Sequence, residues 1–399
     1  MRINSTPVRP GSRRNRRLAA VALTVLAMTA SGCAADGGAG ANGDTVRIGM
    51  IVAETGPIAG AGKTFANGAR IAAAQVNEDD LMGNGKKLEL VTKEGSEDPA
   101  KSASVAAQLA ADKNIVGITC CILSTVAGAA KPIAEKQKVP LMLWGATDLD
   151  LADPPYVYRT VTMPQPANEK VSQTVAEETG IKNVAYGVMT DNSGIVSQAE
   201  AFVTGMNEAG VQDLGTVETL STTTNFTSAA TDLIQKDSDA IVVSGTQSNA
   251  VGLIAALHDK GYDGQIITGE TISGSGVFKS QPDALDGVPF PVYFLSDQPA
   301  NDAAKAFIEA YTEEYGEAPD GYAAQGYNAI YTMAMGLKAA GDDTTRAGLS
   351  KALEGMTELK DTIYGDVTFE GGQLNATSAV QIVNYTAPDG DIAAWTPAN

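Results

Sequence analysis

Residues 46–77 read VRIGMIVAETGPIAGAGKTFANGARIAAAQVN, and this stretch decides the fold. Val46 to Val52 is an apolar run of strand length. Glu54-Thr55-Gly56-Pro57 then supplies the residues of a turn. From Phe65 to Asn77 the apolar residues Phe65, Ala69, Ala72, Ala73 and Val76 fall on one helical face. A strand, a glycine/proline turn and a helix form one half of a parallel β-α-β unit.

The same unit repeats outward. Leu88–Thr92, Ile115–Ile118 and Val139–Trp144 read as further strands, separated by helices over Pro99–Ala111 and Thr125–Gln137. Such alternation predicts an α/β fold with a parallel sheet covered on both faces. After Tyr158-Arg159-Thr160 it restarts. Strands are expected at 184–188, 214–219, 240–244 and 265–268, with helices at 194–209, 226–236 and 249–260. Two α/β lobes in tandem are the expected architecture. Two long helices, Ala300–Tyr315 and Gly321–Ala339, then break the pattern, and strand-like segments at 365–369 and 379–385 end the chain. In open parallel sheets ligands sit beyond the carboxyl ends of the strands. The loops to inspect are therefore 54–63, 120–125, 145–148, 190–194, 245–249 and 269–275.

The start of the chain is of another kind. Residues 1–20 carry six arginines and no acid, and a short apolar run from Leu18 to Ala30 leads into Ser31-Gly32-Cys33. A basic start, an apolar middle and small residues at the end are the parts of an export signal. Cys33 offers a thiol for lipid attachment, the alternative being an ordinary signal peptide with an incidental cysteine. Residues 1–32 are thus expected to be a signal peptide and 33–44 a lipidated cysteine with a flexible tether. Removing 1–32 leaves a body six charges more acidic than the −19 of the whole chain. Such a field opposes nucleic acid. The roughly 365 residues that remain suffice for two cores. The expected location is the outer face of the cytoplasmic membrane.

Ser124 and Thr125 stand between a strand and a helix, where hydroxyls either cap the helix or hold an anion. Ala146 and Thr147 follow the fourth strand in the same way. Glu270 ends the strand IITGE, placed either to meet an ammonium or to be solvated. Tyr322 opens the helix GYAAQGYNAI, and Trp144 packs against either ligand or core. Cys120 and Cys121 are adjacent; their Cβ atoms diverge, so the pair is expected reduced and buried. No metal pattern surrounds them. With His258 the sole histidine, inside an amphipathic helix, no Ser-His-Asp arrangement is expected, and no ATP loop GxxxxGK[ST] occurs. No enzyme activity and no cofactor are expected.

The segments 46–77, KKLELVTKEGSEDPAKSASVAAQLA, VPLMLWGAT, NFTSAATDLIQKDSDAIVVSG and GYAAQGYNAI occur in an order that resembles extracytoplasmic solute-binding proteins of ABC transport. The branch it resembles is the leucine/isoleucine/valine-binding one, and the resemblance covers 45 to about 390. It implies the type I periplasmic-binding fold: two Rossmann-like lobes with parallel-sheet cores joined by a three-stranded hinge. The expected division is 45–162 plus about 290–362 for lobe 1, and 163–289 plus about 363–399 for lobe 2. It further implies a monomer that closes on an amino acid or related small amine/carboxylate and delivers it to an ABC permease. Receptors for another small polar solute (an amide, urea or aromatic acid) and a sensor coupled to a membrane signalling protein are the alternatives. By this resemblance Ser124 and Thr147 hold the ligand carboxylate, and the Ala146 carbonyl and Glu270 hold the amino group. Tyr322 lines the side-chain pocket. The family's other rings fall on Ala61, near Asn192 or Gly194, and on Thr246, which implies a pocket wider or more polar than one for leucine.

Overall fold

The computed structural model describes residues 45–274, 276–376 and 379–397; Cys33, the export signal and the tether lie outside them. The first half runs β1 (Thr45–Val52), α1 (Ala59–Glu78), β2 (Lys87–Glu94), α2 (Pro99–Ala111), β3 (Ile115–Cys120), α3 (Ser124–Gln137), β4 (Leu141–Leu143) and β5 (Val157–Arg159). The second runs α4 (Pro164–Thr179), β6 (Asn183–Met189), α5 (Ser193–Glu208), β7 (Gln212–Thr219), α6 (Thr227–Ile234), β8 (Ala240–Ser244), α7 (Gln247–Asp259) and β9 (Gln265–Thr268). A 3-10 turn (Glu270–Ile272) and the short α8 (Val277–Ser280) and α9 (Pro282–Leu285) lead to β10 (Phe290–Val292). Then come α10 (Asp302–Tyr315), α11 (Gly321–Ala340), α12 (Arg346–Glu354), β11 (Glu358–Thr362), β12 (Gly365–Glu370), β13 (Gln373–Asn375), β14 (Gln381–Thr386) and β15 (Asp391–Ala394).

Three sheets result. The first has the order β11-β12-β13-β5-β4-β3-β1-β2, the second β7-β6-β8-β9, and the third β10-β14-β15. Strands β1 to β5 pair in parallel, as do β6 to β9. This is the two-lobed α/β architecture expected of the alternation. Each parallel sheet is buried on both faces, which is why β3, β4 and β8 are buried throughout. In the first lobe α1 packs on α11, and α2 on α3. The α1–α11 approach needs glycine, since a Cβ on Gly68 would overlap the Ala323 carbonyl and one on Gly326 the Phe65 carbonyl. That approach sets Phe65 against Tyr322, with ring centroids 5.3 Å apart.

The tail departs from the expected division. β12 and β13, placed by the sequence reading in lobe 2, belong to the first sheet, because the tight β11–β12 hairpin pairs Thr362 with Gly365 and keeps the chain there. Val367 and Phe369 are buried in that lobe's core. Conversely β10, expected in lobe 1, pairs with β14, and Phe290 packs on Tyr385 in the other core. The lobes are therefore linked by three short connections: β5 to α4, β10 to α10, and β13 to β14. Tyr293, in the second of these, donates its hydroxyl to the Met163 carbonyl in the first at 2.6 Å.

The adjacent cysteines correct another expectation. Cys120 and Cys121 form a disulfide. Cys121 has φ +84°, a left-handed backbone turn that lets neighbouring side chains meet. The bridge lies buried at the end of β3, three residues before Ser124.

Candidate ligand site

The carboxyl ends of both parallel sheets open onto one cavity of about 200 Å³. Its walls include the N-terminal turns of α3, α5, α7 and α11. Ser124, Thr147, Asn192, Thr246, Glu270 and Tyr322 all line it, so six of the residues singled out in the sequence are brought together.

Ser124 begins α3 and is 3% exposed. Its Oγ accepts the N–H groups of Thr147 and Asp148, each at 3.1 Å, and so staples the loop after β4 to the start of α3. Its hydroxyl proton is left for a further acceptor. Thr147 faces the other lobe, where Gln198 Nε2 of α5 donates to its Oγ1 at 3.0 Å. Gln165 Nε2 of α4 donates to the Thr147 carbonyl at 3.2 Å and to Ser197 Oγ at 3.0 Å. Gly194 sits against both hydroxyls: a Cβ there would overlap Ser124 Oγ and approach Thr147 Oγ1 to 2.8 Å.

Glu270 opens the 3-10 turn after β9 and is the only charged side chain on the cavity wall among the described residues. Burial pushes its carboxyl up to about 8; a backbone N–H from Tyr293 opposes the rise, and the nearby Asp320 adds to it. At neutral pH the ligand-free protein therefore holds this group largely protonated. Tyr322 donates its hydroxyl to the Thr271 carbonyl at 3.0 Å and turns its ring toward Phe65. Burial holds its phenol well above the usual range.

Three expected residues fall elsewhere. The Ala146 carbonyl accepts from Arg159 Nη1 at 3.4 Å, and the residue is fully buried off the cavity wall. Trp144 is 1% exposed, packs on Phe65 at 5.6 Å and belongs to the core. Thr125, one residue beyond Ser124 in α3, does not line the cavity. Arg159 escapes sequence reasoning. Its buried guanidinium donates to the carbonyls of Ala146 and Asp148 and to Gln373 Oε1. Burial lowers its pKa to about 10 against the pull of Asp148.

Gln198, Gln247 and Gln325 also escape it. Their signal is a polar residue on a helix face otherwise buried: Gln198 lies between Ile195 and Phe202, and Gln325 between Ala324 and Tyr327. No group of three or more potential metal ligands occurs among the described residues.

The family model for periplasmic binding proteins matches residues 45–391. The chain belongs to that family. This periplasmic binding protein is a homologue of Leu/Ile/Val-binding proteins and is a binding protein rather than an enzyme. It is 24% identical over 339 residues to Leu/Ile/Val-binding protein homolog 3 of Brucella melitensis, covering 84% of this chain and 89% of the relative. The leucine binding protein LivK of Thermotoga maritima superposes with a TM-score of 0.77 at 22% identity, over 88% of this chain and 98% of that one. A solute binding protein of an ABC transporter from R. palustris, in complex with 4-hydroxybenzoate, superposes at 0.78 and 19%, over 89% and 96%. At these identities the two structures share the fold.

Proposed function

We propose that this protein is an extracytoplasmic receptor that captures an α-amino acid, or a closely related small amine/carboxylate, by closing its lobes, and hands it to an ABC permease. One observation carries the reading: a single acid, Glu270, faces a cavity whose opposite wall offers the hydroxyls of Ser124 and Thr147. A ligand ammonium would ionise Glu270 and form a charge-assisted bond, while its carboxylate would meet Ser124, Thr147 and the N–H groups of the α3 start. The export signal and Cys33 support anchorage as a lipoprotein. Relatives named for leucine, isoleucine and valine support the amino-acid class.

A second reading, an aromatic acid, is favoured by one feature of the same site. A protonated Glu270 can donate to a carboxylate without any amine, and Phe65 and Tyr322 offer ring faces. The relative bound to 4-hydroxybenzoate shows that ligand class on this fold. Calorimetric titration with the common L-amino acids and with hydroxybenzoates separates the two. Binding of amino acids alone supports the first reading; binding of hydroxybenzoates alone overturns it.

A further inference from the structure

We infer that the ligand's side group ends in an oxygen acceptor, a carboxamide or carboxylate, held by Asn192 and the start of α7; this rests on the amino-acid reading above. β6 and β8 are neighbours in parallel register, Val188 opposite Ser244. The segments that follow them, leading to Asn192 and to Thr246, therefore emerge side by side. Thr246 Oγ1 lies 4.0 Å from Met189 Sδ, which fixes that adjacency.

Asn192 is 4% exposed and lines the cavity. Its Oδ1 accepts the Ile195 N–H at 3.2 Å and caps α5, which fixes the orientation of the amide because only the oxygen can accept. Nδ2 is then left as a buried donor with no partner. A buried donor without an acceptor is costly, so the site is incomplete without one.

α7 makes the same demand. Its capping position is Thr246, whose side chain bonds none of the helix's N–H groups. A thirteen-residue helix thus presents an uncapped, partly positive end to the cavity beside Asn192 Nδ2. No lysine, arginine or histidine lines the cavity among the described residues, so neutral donors alone would receive the acceptor. Ile195, Val251 and Val277 on the adjoining wall suit the methylenes that carry such a group. A branched aliphatic chain would leave Nδ2 and the α7 end dry and unbonded. A site built to hydrogen-bond a polar group rejects the analogue that lacks it far more strongly than an apolar pocket rejects one methylene.

The test is calorimetry on the full mature protein with L-glutamine, L-glutamate, L-leucine and L-norleucine, repeated on N192D. This substitution keeps the oxygen that caps α5 but replaces the donor by an acceptor, so folding is preserved. The expected result is at least tenfold tighter binding of glutamine or glutamate than of either aliphatic. N192D should cut that affinity at least tenfold and leave leucine within threefold. Which of glutamine and glutamate binds tighter decides between carboxamide and carboxylate. Leucine or norleucine binding as tightly as both, or N192D weakening all four equally, overturns the inference while the amino-acid reading stands. Binding of none of the four while hydroxybenzoates bind overturns both.

Discussion

Gln198 and Thr147 meet across the cleft: Nε2 of the first, on α5, donates to Oγ1 of the second, after β4, at 3.0 Å. The bond joins the two lobes at the wall where the ligand carboxylate is proposed to sit. It therefore exists only when the lobes are closed, and it biases a two-state hinge toward that state. Q198A should weaken ligand binding about tenfold, mostly through faster release, in line with a lost buried hydrogen bond of about 1–1.5 kcal/mol. Stopped-flow dissociation measures this, and an unchanged release rate would remove the bond from the closure mechanism.

Gly194 sets a steric limit at the same contact. A methyl at this position would overlap Ser124 Oγ, yet Ser124 belongs to the other lobe. G194A should therefore leave the fold of each lobe intact and block full closure. The expected outcome is affinity lowered at least a hundredfold with a ligand-free melting temperature within a few degrees of the parent. Small-angle scattering should show that added ligand no longer contracts the molecule.

Glu270 gives binding a pH dependence with a definite sign. Its carboxyl titrates near 8 in the ligand-free protein, against 4.5 ordinarily, because of burial. Binding an ammonium requires the ionised form, so affinity should rise about tenfold per pH unit up to about 8 and then level. Close to one proton should be released per ligand at pH 7, measurable by calorimetry in buffers of different ionisation enthalpy. A carboxylate ligand accepting from protonated Glu270 would give the opposite slope. Stability follows from the same shift. A raised carboxyl pKa contributes fully below the unfolded value of 4.5, and the contribution is lost as pH rises toward 8.

Arg159 supports the site from beneath. Its guanidinium is fully buried and holds the carbonyls of Ala146 and Asp148 on either side of Thr147. R159M keeps the bulk and leaves those carbonyls without their donor. It should cost roughly 3 kcal/mol of stability and weaken binding as well. Urea unfolding and titration together read both effects.

Much of the fold is legible in the sequence because local period and connectivity agree. Val46–Val52 and the Phe65 helix obey different repeats, and a short turn between them leaves only a parallel crossover. The strand at Ala240–Ser244 can be read to the residue for the same reason. The tail cannot, since whether the Glu358–Glu370 hairpin stays on the first sheet is decided by packing of Val367 and Phe369, which no local pattern encodes. The cysteine bridge depends on one left-handed residue, Cys121. In the site, loops after strands locate Ser124, Thr147 and Glu270. The direction of a carbonyl decides Ala146, and it is set by Arg159, a residue distant in sequence from the loop it holds. Gln198 and Gln325 read as stray polar residues on core faces until two lobes stand opposite each other.

The central claim is that Glu270 receives the ligand's ammonium. Its most direct test is the affinity of E270Q, measured by calorimetry at pH 8 against the tightest-binding L-amino acid. Glutamine preserves shape and removes the charge. The account predicts at least a hundredfold loss of affinity with the proton release abolished. Affinity within threefold of the parent, with proton release unchanged, would contradict it.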